Sequence, residues 1–379
     1  MGELPGPAPA TFETVVVDPL VQFDRSGIDW FSGVVVAAFV SVPVAIALGT
    51  GYATAGVLVA LGTLNVFLGQ GLLGFRARSR VAFLALGLNT VGIVVGSVVA
   101  TTGAVAFPLI AVSIAGFELV NLVPYARVVG LTAGAMFAIG IGLSHTNPVA
   151  IGQTAELVLA GGAWALAGIF LQQAWIVNRR DHARRTGRPS FRWGRPDAAL
   201  PSRPDARVVL ATAIAAGVAS AAAFAAGAHL GVDRDYWTIL TVIVVLQVGF
   251  MATLNSAVVR MIGTVAGAAI GGLLLISLTG AWELGVLIAL LAAITITLRS
   301  ASPSLYVLSL TPWVLLILGI TSDTGWVTAE ARVLATLIGG GFALAGALLA
   351  WSILRLPWSA RPSPDARSSL NARQSEPVR

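Results

Sequence analysis

The feature that most constrains this chain is the length of its apolar blocks. Twelve of them fall at about 33–50, 52–74, 81–101, 104–122, 127–143 and 156–177, then 207–230, 236–253, 259–279, 282–298, 304–321 and 333–354. A helix needs about 20 apolar residues to cross the hydrocarbon of a bilayer. The blocks therefore predict an all-α integral membrane protein with about twelve transmembrane helices. Composition agrees: 56 % of the 379 residues are hydrophobic and only 11 % charged, against roughly 25 % charged in a soluble domain. A large soluble domain is excluded.

The distribution of positive charge sets an orientation. All 23 basic residues are Arg, a bias that, with the Ala, Gly and Val content, points to a GC-rich bacterial genome. With the N-terminus in the cytoplasm and twelve alternating spans, 21 of the 23 fall on the inner side. Only Arg234 and Arg332 fall outside, each beside acids. The positive-inside rule thus predicts a multi-pass protein of the bacterial plasma membrane with both termini cytoplasmic. Residues 1–28 form a cytoplasmic N-terminal segment with no signal-peptide pattern. The Arg- and Pro-rich stretch 178–206 reads as a cytoplasmic linker, and 356–379 as a disordered tail. Cysteine is absent and the three His lie far apart. No disulfide, thiolate or metal chemistry is expected, nor any cofactor.

The two membrane segments, 29–177 and 207–355, resemble each other. GGAWALAG at 161–168 matches GGGFALAG at 339–346 at an offset of 178. Arg80, Gly87 and Gly92 match Arg260, Gly267 and Gly272 at an offset of 180. Tyr52 and Thr54 match Tyr236 and Thr238 at an offset of 184. These offsets predict two parallel six-helix repeats related by an axis along the membrane normal.

Candidate residues are polar groups or small residues inside apolar spans. Gly263, Gly267 and Gly271 lie on one helix face, where small residues let a second backbone approach. Arg260 lies one turn before them, near the cytoplasmic mouth, and its echo Arg80 suggests two positive charges at one entrance. In the preceding span Thr238, Thr241 and Gln247 are polar, and Gln247 must face a helix or a cavity. Tyr236 and Trp237 suit an aromatic belt at the outer end. Asn65, Gln70, Asn89, Gln172 and Gln173 are first-half counterparts. Glu118 and Glu283 lie near span ends, where interface residues are expected. Motifs for ATP hydrolysis or protease chemistry are lacking, so no catalytic role is expected.

The run YWTILTVIVVLQ followed by RMIGTVAG resembles the signature of the fusaric acid resistance protein-like family, which includes aromatic carboxylic acid efflux proteins and has plant malate transporters as relatives. ARVLATLIGGGFALAG resembles that family's closing helix. The resemblance covers about residues 207–355 and implies functional or packing roles for Tyr236, Trp237, Gln247, Arg260, Gly263, Thr264, Gly267, Arg332 and Gly339. In the first half Ala53 replaces the Trp, Thr63 stands at the place of Gln247, and Phe83 and Leu84 replace the Gly-Thr pair.

Three functions fit these residues. The first is export of an organic anion, drawn in by Arg80 and Arg260 and passed along Thr238, Thr241 and Gln247. The second is an anion channel. The third is a membrane scaffold whose Arg-rich linker binds anionic lipid or a partner. Nucleic acid is not an expected partner, and self-association into a homo-oligomer stays open.

Overall fold

The computed structural model describes residues 20, 22–68, 75–123, 126–146, 151–186, 205–278, 280–320 and 325–356. Among them are twelve α-helices. The first six are α1 Trp30–Thr50, α2 Ala53–Leu68, α3 Phe75–Val99, α4 Ala106–Leu119, α5 Arg127–Thr146 and α6 Ile151–Thr186. The second six are α7 Ala206–His229, α8 Tyr236–Val245, α9 Phe250–Ser277, α10 Ala281–Leu298, α11 Pro303–Gly319 and α12 Gly325–Arg355. Eight of these regions are long and apolar enough to cross a membrane, and α2, α8, α10 and α11 are shorter. The protein is an all-α, multi-pass membrane protein. The expected tail 357–379, most of the N-terminal segment, Gln70 and linker residues 187–204 lie outside the described residues.

Apolar blocks locate the helices, but local chemistry moves their ends. The block 236–253 does not form one span. Helix α8 stops at Val245, Leu246 turns extended, and Gly249 takes φ +98° before α9 begins at Phe250. Only glycine occupies that backbone region without strain, so Gly249 lets the chain reverse here. With 10 residues, α8 rises about 15 Å, half the hydrocarbon thickness of about 30 Å. At the other extreme α6 continues to Thr186, nine residues into the expected linker.

Helix pairing follows a repeating plan. In the first half α3 packs on α5, α2 on α6 and α1 on α2; in the second α9 packs on α11, α8 on α12 and α7 on α8. Between the halves α1 lies on α10 and α4 on α7, so the first helix of each half packs on the fourth of the other. Small residues make both junctions: Gly33 faces Ala293 and Thr297, and Gly217 faces Ala111 and Ala115. With no hydrophobic drive between helices in lipid, such close packing is what holds them together.

The close contacts also give the register between the halves. Thr63 donates to the carbonyl of Gly161 at 3.0 Å, and Thr241 backs onto Gly339. Both pairs fit an offset of 178, so Thr63 corresponds to Thr241, not Gln247, and Tyr236 corresponds to Leu58. The matching of Tyr52 with Tyr236 is therefore corrected. Tyr52 is 72 % exposed at the start of α2, whereas Tyr236 is 8 % exposed.

Candidate functional site

The glycine face of α9 is a packing seam. A side chain at Gly263 would meet Val307, one at Gly267 would meet Leu308, Thr311 and Pro312, and one at Gly271 would meet Pro312 and Leu315. The stepwise match shows α9 and α11 running parallel and in contact. Thr264 is fully buried in the same helix, and its hydroxyl has no partner. Gly339 on α12 supports a second seam, against Thr238 and Thr241. Those two threonines donate to the carbonyls of Asp235 at 2.7 Å and Trp237 at 2.9 Å. Both are fully buried. They serve the α8–α12 junction and do not line a path.

These two seams turn other faces of α8, α9, α11 and α12 toward a central cavity of about 430 Å³, closed on its far side by α2 and α5. The two walls differ in chemistry. From the first half come mainly apolar side chains, including Leu58, Leu61, Leu131 and Ile139, with Asn65 and Thr132 among them. The second also adds aliphatic side chains such as Leu240, Leu310 and Ile317, but it alone supplies arginines, Arg234, Arg260, Arg299 and Arg332, together with Tyr236, Trp237, Tyr306 and Trp313. No Asp or Glu is among the described lining residues.

Two of these arginines are buried. Arg260 is 4 % and Arg332 3 % exposed. The Arg260 Nε and the Arg332 Nε and Nη1 have no hydrogen-bond partner. The Arg332 guanidinium stands over the Trp237 ring at 5.0 Å, and Arg234 lies 5.6 Å from the same ring. Arg260 and Arg332 lie within range of each other's charge. A buried charge normally has a counter-charge, since taking it out of water costs several kcal/mol even after relaxation. A desolvated cation–π contact returns about 2 kcal/mol or somewhat more, which offsets only part of that cost. The cavity therefore holds a standing demand for negative charge. Trp313, 1 % exposed, adds an indole N–H with no acceptor.

The remaining sequence candidates lie elsewhere. Gln247 sits in the non-helical link after α8, where its side-chain carbonyl accepts from Arg127 at the start of α5. Its Nε2 donates to the Val244 carbonyl at 3.3 Å and its backbone N–H to the Thr253 hydroxyl at 3.0 Å. It ties α5 to α8 and is not a group deep in a span. Arg80 is exposed on α3, apart from the cavity lining, so the suggested pair with Arg260 does not form. Its neighbour Arg78 donates to Gln172 at 2.8 Å, and Gln172 donates to Ser32 at 3.1 Å, joining α3, α6 and α1. Tyr236 and Trp237 face the cavity and not an interfacial belt. Tyr236 lies close against α5, where a side chain at Gly142 would strike its ring.

Sequence reasoning missed Arg234, Arg299, Tyr306 and Trp313, and it placed Arg332 in a family pattern without a cavity. A signal existed. Arg234 and Arg332 are the two exceptions to the charge rule, and a charge that defies topology has another reason to be there.

Residues 209–346 match the family model described as fusaric acid resistance protein-like. The family resemblance is shown over this segment. No curated protein and no solved structure gives a significant match. The matched segment spans a little over a third of the chain and contains every Arg, Tyr and Trp of the cavity wall. Its architecture and family point to a role related to membrane transport.

Proposed function

We propose that the protein carries organic anions outward across the bacterial plasma membrane, with the central cavity as the binding site. The observation that carries this reading is the pair Arg260 and Arg332, buried and open to a cavity whose described lining holds no Asp or Glu and has one largely apolar wall. An anion with an apolar body, such as an aromatic carboxylate, satisfies both walls at once: its charge pairs with a guanidinium, its ring rests on Leu and Trp side chains. The recurring helix pairing supports two six-helix repeats that rock about the cavity to alternate access. Lipid surrounds the spans, both termini lie in the cytoplasm, and the reading needs no cofactor and no nucleic acid.

The test is flux in proteoliposomes containing the purified chain. Labelled benzoate should move saturably in the parent. Arg260→Gln should raise its half-saturation about tenfold or more, because a hydrogen bond to a charged group contributes roughly 1.5–3 kcal/mol. Arg260→Lys keeps the charge but loses the two-pronged grip, so partial recovery is expected. Unaltered flux in Arg260→Gln would reject the cavity as the anion site.

A further inference from the structure

We propose that the preferred ligand is a dianion whose two negative charges are separated by a short apolar spacer, one charge at Arg260 and the other at Arg332. This rests on the reading of the cavity as an anion site and adds the valence of the ligand.

The helix register places the two arginines at different depths. Helices α9 and α12 run antiparallel: a side chain at Gly272 would meet Trp326 and Ala329, and one at Gly340 would approach Met261. By that register Arg332 lies level with about residue 268 of α9. Arg260 is then about eight residues lower, roughly 12 Å along the helix axis at 1.5 Å per residue. The two side chains also differ in company. Tyr306 lies within electrostatic range of Arg260, whereas Arg332 lies over Trp237 beside Arg234. The same lining includes the apolar side chains of Leu240, Leu310 and Leu131.

Charge balance then favours a doubly charged ligand. A monoanion pairs with one guanidinium and leaves the other buried without counter-charge, among apolar side chains where an unpaired charge costs most. Two separate monoanions neutralise both, but each gives up its own translational freedom. A single dianion neutralises both for one such loss. A ring-sized spacer keeps the two charges apart and can rest on the apolar side chains of the same lining. Inorganic sulfate has two charges on one centre and cannot serve both levels.

The experiment compares terephthalate, benzoate and sulfate in proteoliposomes of the full chain, with melting temperature in detergent as a second readout. Terephthalate should show a half-saturation about tenfold below that of benzoate, and the larger rise in melting temperature; sulfate should resemble neither. Arg332→Gln should weaken terephthalate about tenfold and leave benzoate within about threefold, erasing the preference. Equal half-saturation for benzoate and terephthalate in the parent overturns the dianion while leaving anion transport intact. Equal weakening of both ligands in Arg332→Gln also overturns it. If neither ligand moves or stabilises the folded parent, both the dianion and the anion site fail together. The melting-temperature arm uses the parent alone and decides the case even if the variant does not fold.

Discussion

At Arg332 the proposed anion site and the stability of the fold make opposite demands. Its guanidinium is 3 % exposed and two of its nitrogens lack partners. The desolvation cost of several kcal/mol is offset only in part by Trp237, whose contact returns about 2 kcal/mol or somewhat more when desolvated. Arg332→Gln should therefore raise the melting temperature in detergent, while transport of the preferred anion falls. A lower melting temperature would mean that the charge is already neutralised by a group other than a ligand. Gly142 makes the complementary case. A methyl group there collides with Tyr236, so Gly142→Ala should push the ring into the cavity. Flux should fall with little change in stability, because the ring has open space to move into. Unaltered half-saturation for benzoate in that variant would show that Tyr236 does not shape the site.

At the scale of elements, two seams hold the cavity wall in place. Gly267 of α9 faces Leu308, Thr311 and Pro312 of α11, and no larger side chain fits without separating the helices. Gly267→Leu overpacks this seam and should cost about 3 kcal/mol or more, seen as poor recovery of a monodisperse detergent-purified protein. Gly341 on α12 is exposed and has nothing near it. Gly341→Ala should stabilise by up to roughly 1 kcal/mol through helix propensity alone. Equal tolerance at the two positions would remove the argument for a packed seam. Helix α8 is a different kind of element, too short to cross on its own and stopped at Leu246 by an extended backbone. Its free end is secured by Gln247 and Arg127, which join the two halves. Non-helical backbone at membrane depth is tolerated where protein covers it.

For the whole molecule, the orientation rests on where Arg falls. Under the proposed twelve spans with cytoplasmic termini, the Arg-rich linker lies inside and the loop between α7 and α8 outside. A chain free of cysteine allows a direct test by single Cys substitution at Ser190 and Gly231. In intact cells a membrane-impermeant thiol reagent should label position 231 and spare position 190. Labelling at 190 from outside would refute the twelve-span arrangement. The pairing of α1 with α10 and of α4 with α7 interlocks the halves. Under the proposed alternating access, motion about the cavity slides these helices past one another, because they are packed across both junctions.

The sequence alone was enough to settle the membrane class, the positions of most helices and the existence of a glycine seam near Gly267. Each of these depends on local runs: about 20 apolar residues to cross a bilayer, or glycines spaced one turn apart on a face. It also carried the family resemblance, because YWTILTVIVVLQ and RMIGTVAG are contiguous strings. The cavity was not legible in this way. Arg234, Arg260, Arg299 and Arg332 are separated by tens of residues and meet only once α8, α9, α11 and α12 have packed. Thr238 and Thr241 looked like path residues because they are polar in an apolar helix, yet their hydroxyls are spent on their own backbone. Which face of a helix meets a neighbour, and which meets a cavity, depends on the rotation of each helix about its axis. That rotation is set by side chains from other helices touching at Gly263, Gly271 and Gly339, so only the tertiary structure could decide it.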